Sequence, residues 1–265
     1  MPRAVVIRAA GTNCEQEMVR GFQLAGAETE LVHVDRLIAH PKLLDEADLL
    51  GFPGGFSYGD DVASGRILAM KIREGLWPQL RAAAERGVPM IGACNGFQVM
   101  VQVGLLPGPA PGQTWPTPPP VQTIALAHNI GGRFVDTWTR IETPRESVCI
   151  WTSPWKAGFS PDELMLPSAH GEGRVVASSP ELLDQLAERG QIALTYQENF
   201  NGSQRSIAGL CDATGRIFGL MPHPERYLDW TRHPFWTRLG DRAGRATPGL
   251  EMFRAAVNVL AVQPI

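Results

Sequence analysis

The chain is predicted to be α/β, with a doubly wound, mostly parallel sheet flanked by helices and an added region of antiparallel strands. Three observations carry the prediction. Short apolar runs alternate with helical patterns from Val5 to Leu106, as repeated βαβ units require. Two of these runs stop at very small residues, Pro53-Gly54-Gly55 and Gly92-Ala93-Cys94, where ligands of such sheets bind beyond the carboxyl ends of strands. Past residue 120, strand-like runs follow one another with a single helical pattern among them before the last helix, which suits antiparallel pairing.

In order, Val5 to Ala10 reads as a buried strand, Glu15 to Ala25 as a helix ending at Gly26, and Glu30 to Val34 as a second strand. Ala47 to Phe52 is a third strand, and a helix from Arg66 to Glu85 leads to the strand Val88 to Ile91, followed by apolar helical spacing through Leu106. Pro107 to Pro120 contains seven prolines in fourteen residues, so it is neither helix nor central strand. It reads as an inserted, extended surface segment, passive by default and a docking surface as the alternative. Thr123 to Ala127, Phe134 to Ile141, Val148 to Trp151 and Leu164 to Leu166 are the added strands, and Pro180 to Arg189 is a helix. Strands at Ile192 to Tyr196, Ile207 to Cys211 and Ile217 to Met221 lead to a final helix over Leu250 to Leu260, with a hairpin turn at Asp212 to Gly215.

With 265 residues, 44% hydrophobic and 19% charged, the chain suits one globular domain over residues 1–265. A net charge of -3 offers no basic footprint for nucleic acid or a membrane surface, and no apolar run approaches the ~20 residues of a spanning helix. Arg8 interrupts the apolar start, so it is a first strand and not a signal peptide. Cys14, Cys94, Cys149 and Cys211 form no Cys-x-x-Cys pair, which argues against a zinc site or disulfide framework and for reduced, cytoplasmic thiols.

Cys94 stands at a strand-to-helix elbow. Gly92, Ala93 and Gly96 let the turn be strained and let another backbone approach. A helix starting after Cys94 sets its positive dipole end beside the sulfur and favours thiolate, and the N–H of Asn95 is an oxyanion donor. Such a nucleophile needs a base. Among six histidines, His223 in Met221-Pro222-His223-Pro224-Glu225-Arg226 is bracketed by prolines after a predicted strand. Extended backbone there would put Glu225 on the face of His223, where it can hold one ring nitrogen while the other addresses Cys94. Cys14, in Gly11-Thr12-Asn13-Cys14, is the competing nucleophile, and His170 with Glu172 the competing pair, its flanking glycines suggesting a flexible loop.

Gly92-Ala93-Cys94-Asn95-Gly96-Phe97-Gln98 resembles the nucleophile motif of class I glutamine amidotransferases, whose sheet is flavodoxin-like, and in particular that of the glutaminase subunits of phosphoribosylformylglycinamidine synthases. Phe56-Ser57-Tyr58-Gly59-Asp60-Asp61, Ala169-His170-Gly171-Glu172-Gly173-Arg174 and Asn199-Phe200-Asn201-Gly202-Ser203 are similar to further segments of that family, Phe200 replacing its usual proline. The resemblance implies a Cys94-His223-Glu225 triad acting on glutamine through a thioester. It also implies a second oxyanion donor from the Gly54-Gly55 loop, with Gly55 preferred, and substrate contacts from Gly54 and Gln98. No Walker-type motif or metal-spaced cluster is visible, so the chain is expected to need no cofactor or metal of its own. By resemblance, ATP and Mg would be used by a large synthetase subunit that receives the ammonia, with a small third subunit in addition, in purine biosynthesis. Met1 directly before the first strand suggests a free-standing subunit. A glutaminase serving another synthetase, a cysteine peptidase on this fold and a non-catalytic regulatory subunit remain the alternatives.

Overall fold

The alternating pattern folds, in a computed structural model that describes residues 1–242 and 244–262, into a sheet built outward from its first strand. The first half of the chain contributes β1 (Arg3–Arg8), α1 (Glu15–Leu24), β2 (Glu28–His33), α2 (Val34–Ala39), β3 (Leu49–Phe52), α3 (Arg66–Gly75), α4 (Trp77–Glu85), β4 (Met90–Ala93) and α5 (Asn95–Val103). The second half contributes β5 (Ile124–Ala127), β6 (Val135–Glu142), α6 (Trp155–Gly158), β7 (Met165–His170), β8 (Arg174–Ala177), α7 (Pro180–Glu188), β9 (Ile192–Tyr196), β10 (Ile207–Cys211), β11 (Ile217–Leu220) and α8 (Pro248–Val262). Among the described residues nine strands pair in the order β2-β1-β3-β4-β11-β10-β9-β6-β7, while β5 and β8 form a separate antiparallel pair. The run from β2 to β11 is parallel, and every pairing from β11 to β7 is antiparallel.

Alternation of side chains along β1 explains why both faces are covered. Val5 and Ile7 join one apolar cluster with Leu68, Ile72, Leu80 and Met100 of α3, α4 and α5. Ala4 and Val6 join the other, with Met18 and Phe22 of α1 and Phe253 of α8. Among the described residues no helix is long and apolar enough to cross a membrane.

Four expectations change. The helix over 66–85 is two helices broken at Leu76, whose φ of -134° leaves the helical region just before Pro78; a proline ring clashes with the carbonyl four residues back in a continuous helix. Val148 to Trp151 is not a strand. Its Val148 and Ile150 N–H groups donate to the carbonyls of Gly190 and Gly215 at 3.0 Å each, so this apolar run marks burial of Cys149 and Trp151 and not sheet pairing. Val34 begins α2 instead of ending β2, because the His33 ring nitrogen caps the Asp35 N–H at 3.2 Å. The strand at 164–166 runs on to His170, paired along its length with β6, and turns through Gly171–Gly173 into the unforeseen β8.

Residues 107–120 hold no helix or strand, yet they are strapped to the body. Trp77 Nε1 donates to the Thr117 carbonyl at 2.9 Å, and Trp115 packs edge-on to Trp77 with ring centroids 6.3 Å apart. The Arg73 guanidinium donates to the carbonyls of Gln102 and Val103 at the end of α5 and to those of Pro119 and Pro120.

Among the described glycines the tightest approach lies where α5 crosses β3: a Cβ on Gly96 would sit 1.8 Å from the Phe52 carbonyl oxygen. Gly96→Ala is therefore expected to destabilise the fold by about 3 kcal/mol in urea unfolding, because helix and strand must separate. An unshifted unfolding midpoint would show that α5 has room to move.

Candidate active site

Three adjacent parallel strands bring the pieces together. Phe52 of β3 lies opposite Gly92 of β4, and Ala93 of β4 opposite Leu220 of β11, so the chain leaves all three strands at one edge. Gly54, Cys94 and His223 are delivered there within a few residues. The Cys94 N–H donates to the Leu220 carbonyl at 2.8 Å, and its φ of 51° with ψ of -110° is a backbone conformation that non-glycine residues rarely hold. The sulfur lies 3.7 Å from the Ala169 carbonyl and reaches a cavity of about 300 Å³. Gly54 closes in from β3: a Cβ there would stand 2.8 Å from His223 Cε1.

His223 and Glu225 pair, by a route other than extended backbone. Residues Pro224–Arg226 form a 3-10 turn, which curls the carboxylate back so that Glu225 Oε1 meets His223 Nδ1 at 2.6 Å. Both side chains are buried, and the His223 N–H donates to the Pro167 carbonyl at 2.8 Å, fixing the turn to β7. Burial works to lower the imidazole pKa, but the Glu225 carboxylate and the sulfurs of Cys94 and Cys14 outweigh it and hold it well above its ordinary value. His223 Nε2 has no nitrogen or oxygen partner among the described residues, and the Cys94 sulfur is among the groups whose charge acts on the ring.

The Gly54-Gly55 loop is set by its neighbours. The Gly54 carbonyl accepts from the N–H groups of Asn13 and Cys14 at 3.3 and 3.2 Å. In a trans peptide this turns the Gly55 N–H the opposite way, and Gly55, at a φ of +141°, lines the cavity of Cys94. The Asn95 N–H is the first of α5 and has no carbonyl one turn earlier in the helix. These two donors can flank an anion formed next to the sulfur.

Gln98 also borders the cavity, but its amide is engaged within the protein. Its Oε1 accepts from Asn95 Nδ2 at 3.0 Å and its Nε2 donates to the Glu172 carbonyl. Asp60, whose role was not read from the sequence, accepts from Asn95 Nδ2 and the Gly65 N–H at 3.0 and 3.1 Å, tying the 57–60 loop to the elbow helix. Its carboxyl pKa is raised, mainly by burial, against hydrogen bonds from Gly65, Ser64 and Asn95 that lower it.

The competing candidates are placed differently from their expectation. His170 is not on a flexible loop but at the buried end of β7, where pairing with Val135 and Asn129 hold it. It does not pair with Glu172, whose carboxylate faces the Ser64 N–H and His128. Burial, and then the charge of His223, push the His170 pKa down to about 4. Cys14 is fully buried behind His223, with Arg226 Nη2 at 2.9 Å from its sulfur. Cys14 Sγ, a His223 ring nitrogen and a Glu225 oxygen lie within 4.8 Å of one another, a ligand-like trio that sequence spacing did not suggest. The Arg226 guanidinium puts positive charge against the sulfur, opposing a cation there.

Two outcomes are expected. A glutamine-mimicking electrophile should label Cys94, which meets the cavity, and spare Cys14; adduct mass on a Cys14 peptide alone would reverse the assignment. The depressed His170 pKa contributes stability that is full above the ordinary value of 6.5 and is lost as pH falls toward about 4. Wild-type stability should therefore fall by about 2 kcal/mol more than that of His170→Gln between the ordinary histidine pKa and about pH 5. His223, raised, adds stability as pH falls through its ordinary value, but it is present in both proteins and cancels from the difference. Parallel pH profiles of chemical denaturation would refute the buried, neutral state.

Residues 1–260 match the model of the CobB/CobQ-like glutamine amidotransferase domain. The phosphoribosylformylglycinamidine synthase subunit PurQ of Dehalococcoides mccartyi is 40% identical over 97% of this chain and 96% of its own. The PurQ subunit of Methanococcus maripaludis is 37% identical over 97% of each chain. A chain in the structure of PurLQS from Thermotoga maritima superposes with a TM-score of 0.73 at 30% identity, covering 98% of this chain and 99% of that one. A site in which Cys94 at the elbow, the His223-Glu225 pair and the N–H groups of Gly55 and Asn95 share one sheet edge is thus found on a chain that belongs to the CobB/CobQ-like glutamine amidotransferase family, among the PurQ subunits of phosphoribosylformylglycinamidine synthase.

Proposed function

We propose that the chain is the glutaminase subunit of a phosphoribosylformylglycinamidine synthase, hydrolysing glutamine to glutamate and ammonia for a synthetase subunit in de novo purine biosynthesis. The observation that carries the reading is the strained Cys94 beside a buried imidazole that Glu225 keeps protonated. Cys94 thiolate attacks the side-chain amide carbon, and the N–H groups of Asn95 and Gly55 hold the oxyanion. His223 gives its proton to the departing nitrogen as the C–N bond breaks, leaving a glutamyl thioester. Neutral His223 then takes a proton from water, and the resulting attack releases glutamate and frees the sulfur.

A similar chain occurs in the structure of PurLQS from Thermotoga maritima, and the surface around the cavity here suits a partner. Phe56 and Phe134 stack at its mouth with ring centroids 6.4 Å apart, and Val62 and Ile130 are exposed nearby in sequence. An apolar rim of this kind is covered by a docked subunit. The synthetase subunit uses ATP and Mg, a small third subunit completes the complex, and the work is cytoplasmic.

Glutamate release measured for the chain alone, and with the synthetase and small subunits, ATP and formylglycinamide ribonucleotide, tests the reading. Release should rise at least tenfold in the complete mixture, be absent in Cys94→Ala, and respond more weakly in Val62→Asp. Steady hydrolysis indifferent to the synthetase would remove the purine assignment, and none under any condition would leave a regulatory subunit.

A further inference from the structure

His170 is 3% exposed, lines the same cavity as Cys94, and plays no part in the mechanism above. Its tautomer is set by Asn129. The Asn129 Nδ2 donates to the carbonyls of Arg133 at 3.0 Å and His170 at 2.8 Å, and its Oδ1 accepts from the Gly173 N–H at 3.3 Å. The amide can therefore face only one way, and the Oδ1 it presents to His170 Nδ1 at 3.2 Å is an acceptor. Nδ1 must carry the proton. With the ring neutral, Nε2 is a bare lone pair, buried and without a partner among the described residues. Leaving such an acceptor unmet is costly, so it is built for a donor that arrives with a ligand.

The donor can be identified by position and charge. His170 ends the strand whose Ala169 carbonyl faces the Cys94 sulfur, and the ring feels the charge of His223. The ring therefore lines the same cavity as the sulfur, next in sequence to the carbonyl that the sulfur meets. Resting on the glutaminase reading, we propose that His170 Nε2 accepts an N–H from the carboxamide nitrogen of glutamine and from the ammonia it becomes. When the C–N bond breaks, the proton gained by that nitrogen comes from His223, and His170 transfers none. Its one proton is engaged by Asn129, so it can hold ammonia without converting it to ammonium, the form useless to a synthetase. The α-ammonium of glutamine is better matched by Asp60 and Glu172, carboxylates that border the same cavity.

The test compares glutamine with glutamate γ-methyl ester, whose leaving group carries no N–H, in the assembled complex. In His170→Phe the ratio of kcat/KM for glutamine to that for the ester should fall roughly tenfold or more, and His170→Gln, which restores an acceptor oxygen, should recover part of it. Independently of any loss of folding in these variants, the Nε2 resonance of ¹⁵N-labelled His170 in full-length Cys94→Ala should start at the position of an unprotonated nitrogen and move upfield when glutamine is added. An unchanged ratio in a folded His170→Phe, or a stationary Nε2 resonance with glutamine bound, overturns the assignment and leaves the glutaminase reading standing. If the wild-type complex hydrolyses neither compound, that reading falls and this one with it.

Discussion

Everything at this site depends on how closely α5 approaches β3. Gly96 lies against the Phe52 carbonyl, and that contact, with the bond from the Cys94 N–H to Leu220, holds the elbow between the two strands beside β4. A non-glycine residue at positive φ costs on the order of 1–3 kcal/mol and persists only where its surroundings determine it fully. Here they do so on both sides. The gain is position: the sulfur, just before the first helical residue, meets the cavity that Gly55 also lines.

The second constraint is electrostatic, and it divides two imidazoles that share one small space. The pKa of His223 is raised by a carboxylate at 2.6 Å, whereas His170, buried and bonded to an amide, is kept neutral. The two are linked, since the positive charge on His223 is part of what forbids one on His170. One ring can give a proton, and the free nitrogen of the other can only receive a hydrogen bond. That division suits a reaction whose product must leave without gaining an extra proton.

Local patterns carried much of this. The parallel half of the sheet, the elbow at Cys94 and the Pro-bracketed His223 were legible because each depends on residues adjacent in sequence. Legibility ended where distant segments meet. Asn129 lies 41 residues from the ring it orients, and Cys14 is brought beside His223 and Arg226 across the sheet, with no short-range signal for either. Val148 to Trp151 shows the opposite failure, since an apolar run reports burial but not what satisfies its backbone. Gly171 and Gly173 misled in a related way. Gly173 leaves room for the His170 ring, where a Cβ would stand 2.2 Å from Cε1, and this is close packing and not flexibility.

The proline-rich segment has a consequence for how such a chain can diverge. Arg73 satisfies carbonyls of the segment and of the end of α5 with the same guanidinium, and Trp77 anchors the segment to α4. A segment hanging free could be lengthened or lost with little effect. This one shares a cation with the helix that begins at the nucleophile, so removing its end takes away two of the carbonyls that hold Arg73. The end of the segment and the end of the elbow helix are thereby held by one cation.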